Sequence, residues 1–173
     1  TWLRGEQSGR WALILAFAHG MQAFDQSFVP SQILDAELCF FPSGFPLRAL
    51  VKSRVDSNAI IDSMNAYADS DEFLDEFSKA LSQNPWIDAI PAAISQVKAN
   101  MQSNGQLVLI DARNNILPLS ITGGVEWQIL ALTGGHSFSI FGEWNGESLL
   151  PLSILCRSKF YRLDLLRVTA DVT

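Results

Sequence analysis

The sequence is short of cysteine, of positive charge and of long apolar runs, and each shortage narrows what the chain can be. Cys39 and Cys156 are its two cysteines and lie far apart, each in an apolar run. A small disulfide-held secreted scaffold uses more cysteines at closer spacing, so that class is excluded. Two buried thiols in a reducing cytoplasm are the expectation. No apolar run approaches the roughly 18–20 residues that a membrane span needs, so no membrane partner is expected. The first residues, Thr1 to Glu6, carry no signal-peptide pattern. An initiator Met is also absent, which points to a fragment of something longer.

Catalytic and ligand motifs are missing too. There is no Gly-x-Ser-x-Gly elbow and no His-Glu-x-x-His. Gly134-Gly135-His136-Ser137 offers backbone N–H groups that suit an anion, but lacks the Lys-Ser/Thr of a P-loop. It reads better as a tight strand-to-strand turn. The two histidines, His19 and His136, and the two cysteines match a tetrahedral zinc site in number and not in spacing, so no metal and no cofactor are expected. A Cys39–His136 nucleophilic pair has no support beyond residue type.

What is present is a core. Hydrophobic residues make up 48% and charged ones 17%, enough apolar material to exclude wholesale disorder. The formal charge of −6 is concentrated. Between Asp56 and Asp88 stand eight acids against one base, Lys79, while the rest of the chain is near neutral. That segment reads as the solvated face of a helical insert, with a docking surface for a basic partner as the alternative. The broad basic footprint of a nucleic-acid binder is missing.

Periodicity divides one α+β domain into mostly antiparallel strands in its N- and C-terminal thirds and a central helical segment. Residues 9–54 read as β-rich: Trp11 to Phe17 is a short apolar run stopped at His19-Gly20, and Ile33 to Phe41 alternates, placing Asp35 and Glu37 on one strand face. Leu47 to Val51 fits a strand or a first helical turn. Residues 57–102 read as helical. Phe73, Phe77 and Leu81 recur every fourth residue, Asp69 or Ser70 can cap, Glu72 can close a capping box, and Asn84-Pro85 ends the helix. A second helix is expected from Pro91, with Ile90, Ile94, Val97 and Met101 as its stripe.

Residues 106–155 read as hairpins. Gln106–Ile110 and Ile116–Ile121 flank residues 111–115, and Trp127–Leu132 forms another short run read as strand. Phe138–Trp144 and Leu149–Ile154 flank Asn145-Gly146, the strongest short hairpin signal. Leu117-Pro118-Leu119-Ser120-Ile121 recurs as Leu150-Pro151-Leu152-Ser153-Ile154. Each copy is the returning strand of a hairpin, and its proline must lie at an edge, a strand start or a bulge. Residues 156–173 are a basic, apolar tail, read as a last strand or an interaction segment.

Three candidate sites follow. Asp35 and Glu37, with His136, form a possible polar site, since paired carboxylates can do acid–base work when burial separates their pKa values; Glu126 and Glu143 lie on other expected strands. Arg48, Lys52 and Arg54 are a compact basic cluster that suits weak nucleic-acid contact. No residue is assigned a catalytic role.

Several segments also resemble a known family. They are Trp11-Ala12-Leu13 through Phe24, Val29-Pro30, Leu34 through Pro42, Pro46-Leu47-Arg48-Ala49-Leu50-Val51, Asn84-Pro85-Trp86, Ala131 through His136, and Phe141 through Ser153. Together the chain from about Trp2 to Leu155 resembles the C-terminal region of bacterial SWIM zinc-finger family proteins. The family's Cys-x-Cys…Cys-x-His motif is absent from this sequence, so no zinc ligand carries over. The resemblance implies a cytoplasmic bacterial accessory region beside a zinc module thought to bind DNA or protein. The expected role is therefore a non-catalytic, protein-interaction domain. The alternatives are an enzyme using the strand carboxylates Asp35 and Glu37, or a weak nucleic-acid-binding module.

Overall fold

The computed structural model describes residues 1–15, 27–121 and 123–164. The fold is α+β and strand-rich, with antiparallel sheets and a central helix. Contacts divide the chain into two units. One comprises Thr1–Ile61 with Ser82–Pro85, the other Asp62–Leu81 with Trp86–Thr173.

The first unit is two hairpins. Strands β1 (Trp2–Arg4) and β2 (Trp11–Leu13) pair antiparallel, with Trp2 and Trp11 edge to face at 6.4 Å. Strands β3 (Gln32–Phe40) and β4 (Ala49–Ile60) form a longer ribbon. The alternation of Ile33 to Phe41 is realised in β3. Leu34, Ala36, Leu38 and Phe40 are half-buried, while Ile33, Asp35, Glu37 and Cys39 are exposed. Lys52 is an extra residue between the pairs Glu37–Ser53 and Leu38–Val51, a β-bulge. Ala12, Ile14 and Ala49 make the small core of this unit, with Leu38, Phe40 and Val51 packed on it. The expected turn at His19-Gly20 and the end of the Trp11–Phe17 run lie outside the described residues.

The first helix, α1 (Ser70–Gln83), lies in the second unit up to Leu81. Its capping is close to expectation. The Asp69 carboxylate accepts from Glu72 N at 3.0 Å, while the Glu72 carboxylate accepts from Ala68 N, one residue earlier than a strict capping box. Phe73 is fully buried and meets Tyr67 and Trp144; Phe77 lies against Gly146. The helix stops before Asn84-Pro85, because a residue preceding proline is driven out of the helical region.

The second expected helix is a strand. Residues Ile90–Met101 form β5, paired with β8 (Phe138–Trp144) along its first part and β6 (Leu107–Ile110) along its last. The apolar spacing that resembled a helix has a different cause. Ile90 and Ile94 share a strand face, and a bulge between Ile94 and Val97 adds one residue, with Gln96 at φ 53°. The insertion shifts the period-two phase by one, so the spacing becomes four, three and four residues. The helical reading of residues 57–60 also fails, since they end β4.

The reverse correction applies to Val125–Thr133, which is helix α2 although Trp127–Leu132 read as strand. Its length and apolarity do not separate the two states. Gly134, at φ 55°, is its left-handed cap, with Gly134 N donating to Leu130 O at 3.0 Å. Gly134-Gly135 therefore ends a helix and is not a strand-to-strand turn.

Strand β7 (Ile116–Pro118) pairs with β6, and β9 (Leu149–Cys156) pairs with β8. Beyond β7, Leu119 bridges Leu149 in the parallel sense, and Ser120 N donates to Leu149 O at 2.8 Å. This bridging seam sets the segment after β7 beside β9 and so closes five strands of the six-stranded sheet in the order β5-β6-β7-β9-β8. The first strand is shared between two partners, the third and fifth run parallel, and α2 connects the third to the fourth. That connectivity is an OB-type barrel, a five-stranded, partly open Greek-key form. Ile94, Ile129, Ile140, Leu149 and Ile154 fill it with no exposed surface.

Both copies of the Leu-Pro-Leu-Ser-Ile repeat follow a hairpin turn, and the first copy meets, at the seam, Leu149, the residue before the second. Pro118 is the last residue of β7; Pro151 lies opposite Gly142 beside a register shift. Asn145-Gly146 opens a four-residue loop in which the Asn145 side-chain oxygen accepts from Glu147 N and Ser148 N. Cys156 continues into strand β10 (Lys159–Arg162) through Arg157-Ser158, both with positive φ, as a type I′ turn requires. Among the described residues no helix is long and apolar enough to cross a membrane.

Candidate functional site

Cross-strand register places Asn100, Val108 and Pro118 in one row of β5-β6-β7, and Lys98, Ile110 and Ile116 in the next. Leu109 and Leu117 face the barrel interior, so these rows lie on the outer surface. Pro118 and Ile116 are exposed there; Ile116 retains 57% of its surface.

A groove of about 340 Å³ opens beside Val108 and Pro118. Its floor and walls include Gln106, Leu119, Ile121 and Glu126. The β5–β6 turn sets one side. Gly105, at φ 81°, allows the tight return, and Asn104 fixes the next residue by accepting from Gln106 N and donating to the Gln106 side-chain oxygen. The start of α2 sets the other. Gly123 and Gly124 both have positive φ, so the chain turns sharply before the helix and brings Glu126 to the groove in its first turn. Among the described residues the Glu126 carboxylate has no hydrogen bond or ion pair. The next residue, Trp127, is 65% exposed. Glu126 therefore lies on a helix and not on the strand expected for it.

A buried polar anchor holds the neighbouring hairpin. Asp111, 5% exposed, accepts hydrogen bonds from Ser70 N and Oγ, from Arg113 N and Asn115 N, and from the Asn115 amide. Burial would raise its pKa, but the Ser70 hydroxyl and amide, with the Asn115 and Arg113 amides, outweigh burial and lower it to about 2. Arg113 in turn meets Asp69 at 2.7 Å and Asp71 at 3.4 Å. Every strong donor around Asp111 is supplied by the protein, so this cluster ties α1 to the β6–β7 hairpin and leaves no place for a ligand.

The residues singled out in sequence are placed as follows. Asp35 and Glu37 share the exposed face of β3, in the first unit; His136 is exposed in the second, one residue beyond the Gly134-Gly135 helix end. Glu37 pairs with Lys52 at 2.7 Å, both largely exposed. Arg54 donates to Ser27 O and Asp56 and lies over Phe28, and Arg48 lies over the Phe41 ring. The three bases of the cluster thus each have a partner within the first unit. Cys39 is exposed and Cys156 buried, both as free thiols, which corrects the expectation that both are buried. His19 lies outside the described residues. Among the described residues no three His, Cys, Asp or Glu side chains gather as metal ligands.

The groove was partly legible. Pro118 and Leu119 belong to the sequence repeat, whereas Glu126 was misplaced on a strand and Gln106 carried no signal. Comparison with protein families, with curated proteins and with solved structures found no match for the chain.

Proposed function

We propose that this chain is a non-catalytic protein-interaction domain whose docking surface is the groove between the β6–β7 strands and the start of α2. The observation that carries the reading is the open groove beside Val108 and Pro118, of a size that receives ligands, whose wall mixes the apolar Pro118, Leu119 and Ile121 with the polar Gln106 and Glu126. The exposed Trp127 indole beside Glu126 adds a residue type that anchors protein contacts. Barrels of this topology often bind oligonucleotides or oligosaccharides on the corresponding strands. Function must nevertheless be argued from the site. Here the charged lining group is a carboxylate, and phosphates beside Glu126 would be repelled.

The resemblance to the C-terminal region of SWIM-type proteins supports the same reading, with an accessory role beside a zinc module in a bacterial cytoplasm. The two free thiols accord with a reducing compartment. Random peptides displayed on phage and selected on the immobilised chain test the proposal. Selection should enrich binders that the exposed-site variant Pro118→Asp no longer holds, with its circular dichroism unchanged. Failure to enrich any binder, or equal binding by Pro118→Asp, contradicts it.

A further inference from the structure

Resting on that docking reading, we infer that the groove takes an extended peptide segment in which a lysine or arginine neighbours an apolar residue. The charge of the site points to the cation. Glu126 is half-buried on the groove wall, and among the described residues it meets no base. A carboxylate shielded from water gains most when a cation hydrogen-bonds to it. An anionic ligand fits poorly, because Glu126 itself sits in the first turn of α2, where the helix dipole would otherwise attract that anion.

The shape of the site points to an extended chain. Residues Gln106 to Val108 line one side of the groove in succession as the chain leaves the turn for β6, and two residue steps of extended chain cover roughly 7 Å. That length receives about two residues of an extended partner. Pro118 and Ile121 then offer an apolar surface for the side chain next to the cation. Cation on Glu126, apolar group on Pro118 and backbone along the β5–β6 turn together specify a short basic–apolar motif.

The experiment uses the full chain and the phage selection of random dodecapeptides, followed by fluorescence anisotropy on one synthetic, labelled winner. The expected winners carry Lys or Arg beside an apolar residue. Glu126→Gln should weaken the winner about tenfold, the factor that loss of one charge-assisted hydrogen bond of about 1.4 kcal/mol produces. Glu126→Lys should weaken it further, and added salt should weaken the wild type more than Glu126→Gln. Winners without a cation, or winners indifferent to Glu126→Gln yet lost on Pro118→Asp, overturn the basic-motif inference and leave the docking groove standing. No winners at all overturn both.

Discussion

The ribbon β3–β4 and the barrel β5-β6-β7-β9-β8 are built from similar alternating strands but hold themselves together differently. On the ribbon, Val55 keeps 70% of its surface, Ile60 68% and Leu50 55%. In the barrel Ile94, Ile129, Ile140, Leu149 and Ile154 keep none. Burying one such side chain fully is worth roughly 1.5–3 kcal/mol, so each alternating strand is worth far more where the sheet closes on itself. Charge follows the same division. The ribbon's Lys52–Glu37 pair is exposed to water, whereas the barrel's Asp111 is buried and held by five hydrogen-bond donors.

Substitutions can break this contrast. The largest loss is expected for Ile129→Ala, which removes the centre of the α2 face against the barrel; urea unfolding should report about 2–5 kcal/mol. Val55→Ala on the ribbon should change stability by less than about 0.5 kcal/mol. Similar losses at the two sites would erase the distinction.

Next comes the Asp111 anchor. Its folded pKa of about 2 lies below the ordinary aspartate value of 3.8, so its contribution is full above pH ~5 and is lost as pH falls from there through about 2. The shift corresponds to roughly 2 kcal/mol. Asp111→Asn should remove a comparable amount at pH 7 and flatten the stability profile over that acid range. An unchanged acid profile would show that the anchor is not what titrates.

A smaller gain is expected at the last hairpin. Arg157 and Ser158 have φ of 52° and 57°, a region that Asn and Gly adopt at lower cost. The double substitution Arg157→Asn with Ser158→Gly should add about 0.5–1 kcal/mol, read as a raised Tm. The smallest effect is expected at Lys52→Ala, within about 0.5 kcal/mol, since exposed ion pairs contribute little. A larger loss there would mean that the ribbon depends on its charges more than the barrel depends on its own.

Strand-rich α+β architecture was readable because its signals are local. Asn145-Gly146 marked one hairpin, Asp69 and Asn84-Pro85 bounded α1, and the alternation around Asp35 and Glu37 gave β3. The failures arise where a local period is altered, missing or insufficient. The bulge at Gln96 made β5 imitate a helix. Short apolar α2 had no period of its own, and its cap at Gly134 looked like a turn between strands. Barrel closure was beyond local reading, because the Leu119–Leu149 seam pairs segments thirty residues apart. The groove inherits that difficulty: Gln106 in the β5–β6 turn, Pro118 on β7 and Glu126 on α2 share a wall only after the barrel closes.

The most direct test of the docking account maps the binding surface by NMR, titrating the selected peptide into labelled protein. The account predicts that the largest amide shifts fall at Gln106, Val108, Leu119, Ile121 and Glu126. Shifts centred instead on Asp35, Glu37, Arg48, Lys52 and Arg54, with the groove residues unmoved, would contradict it.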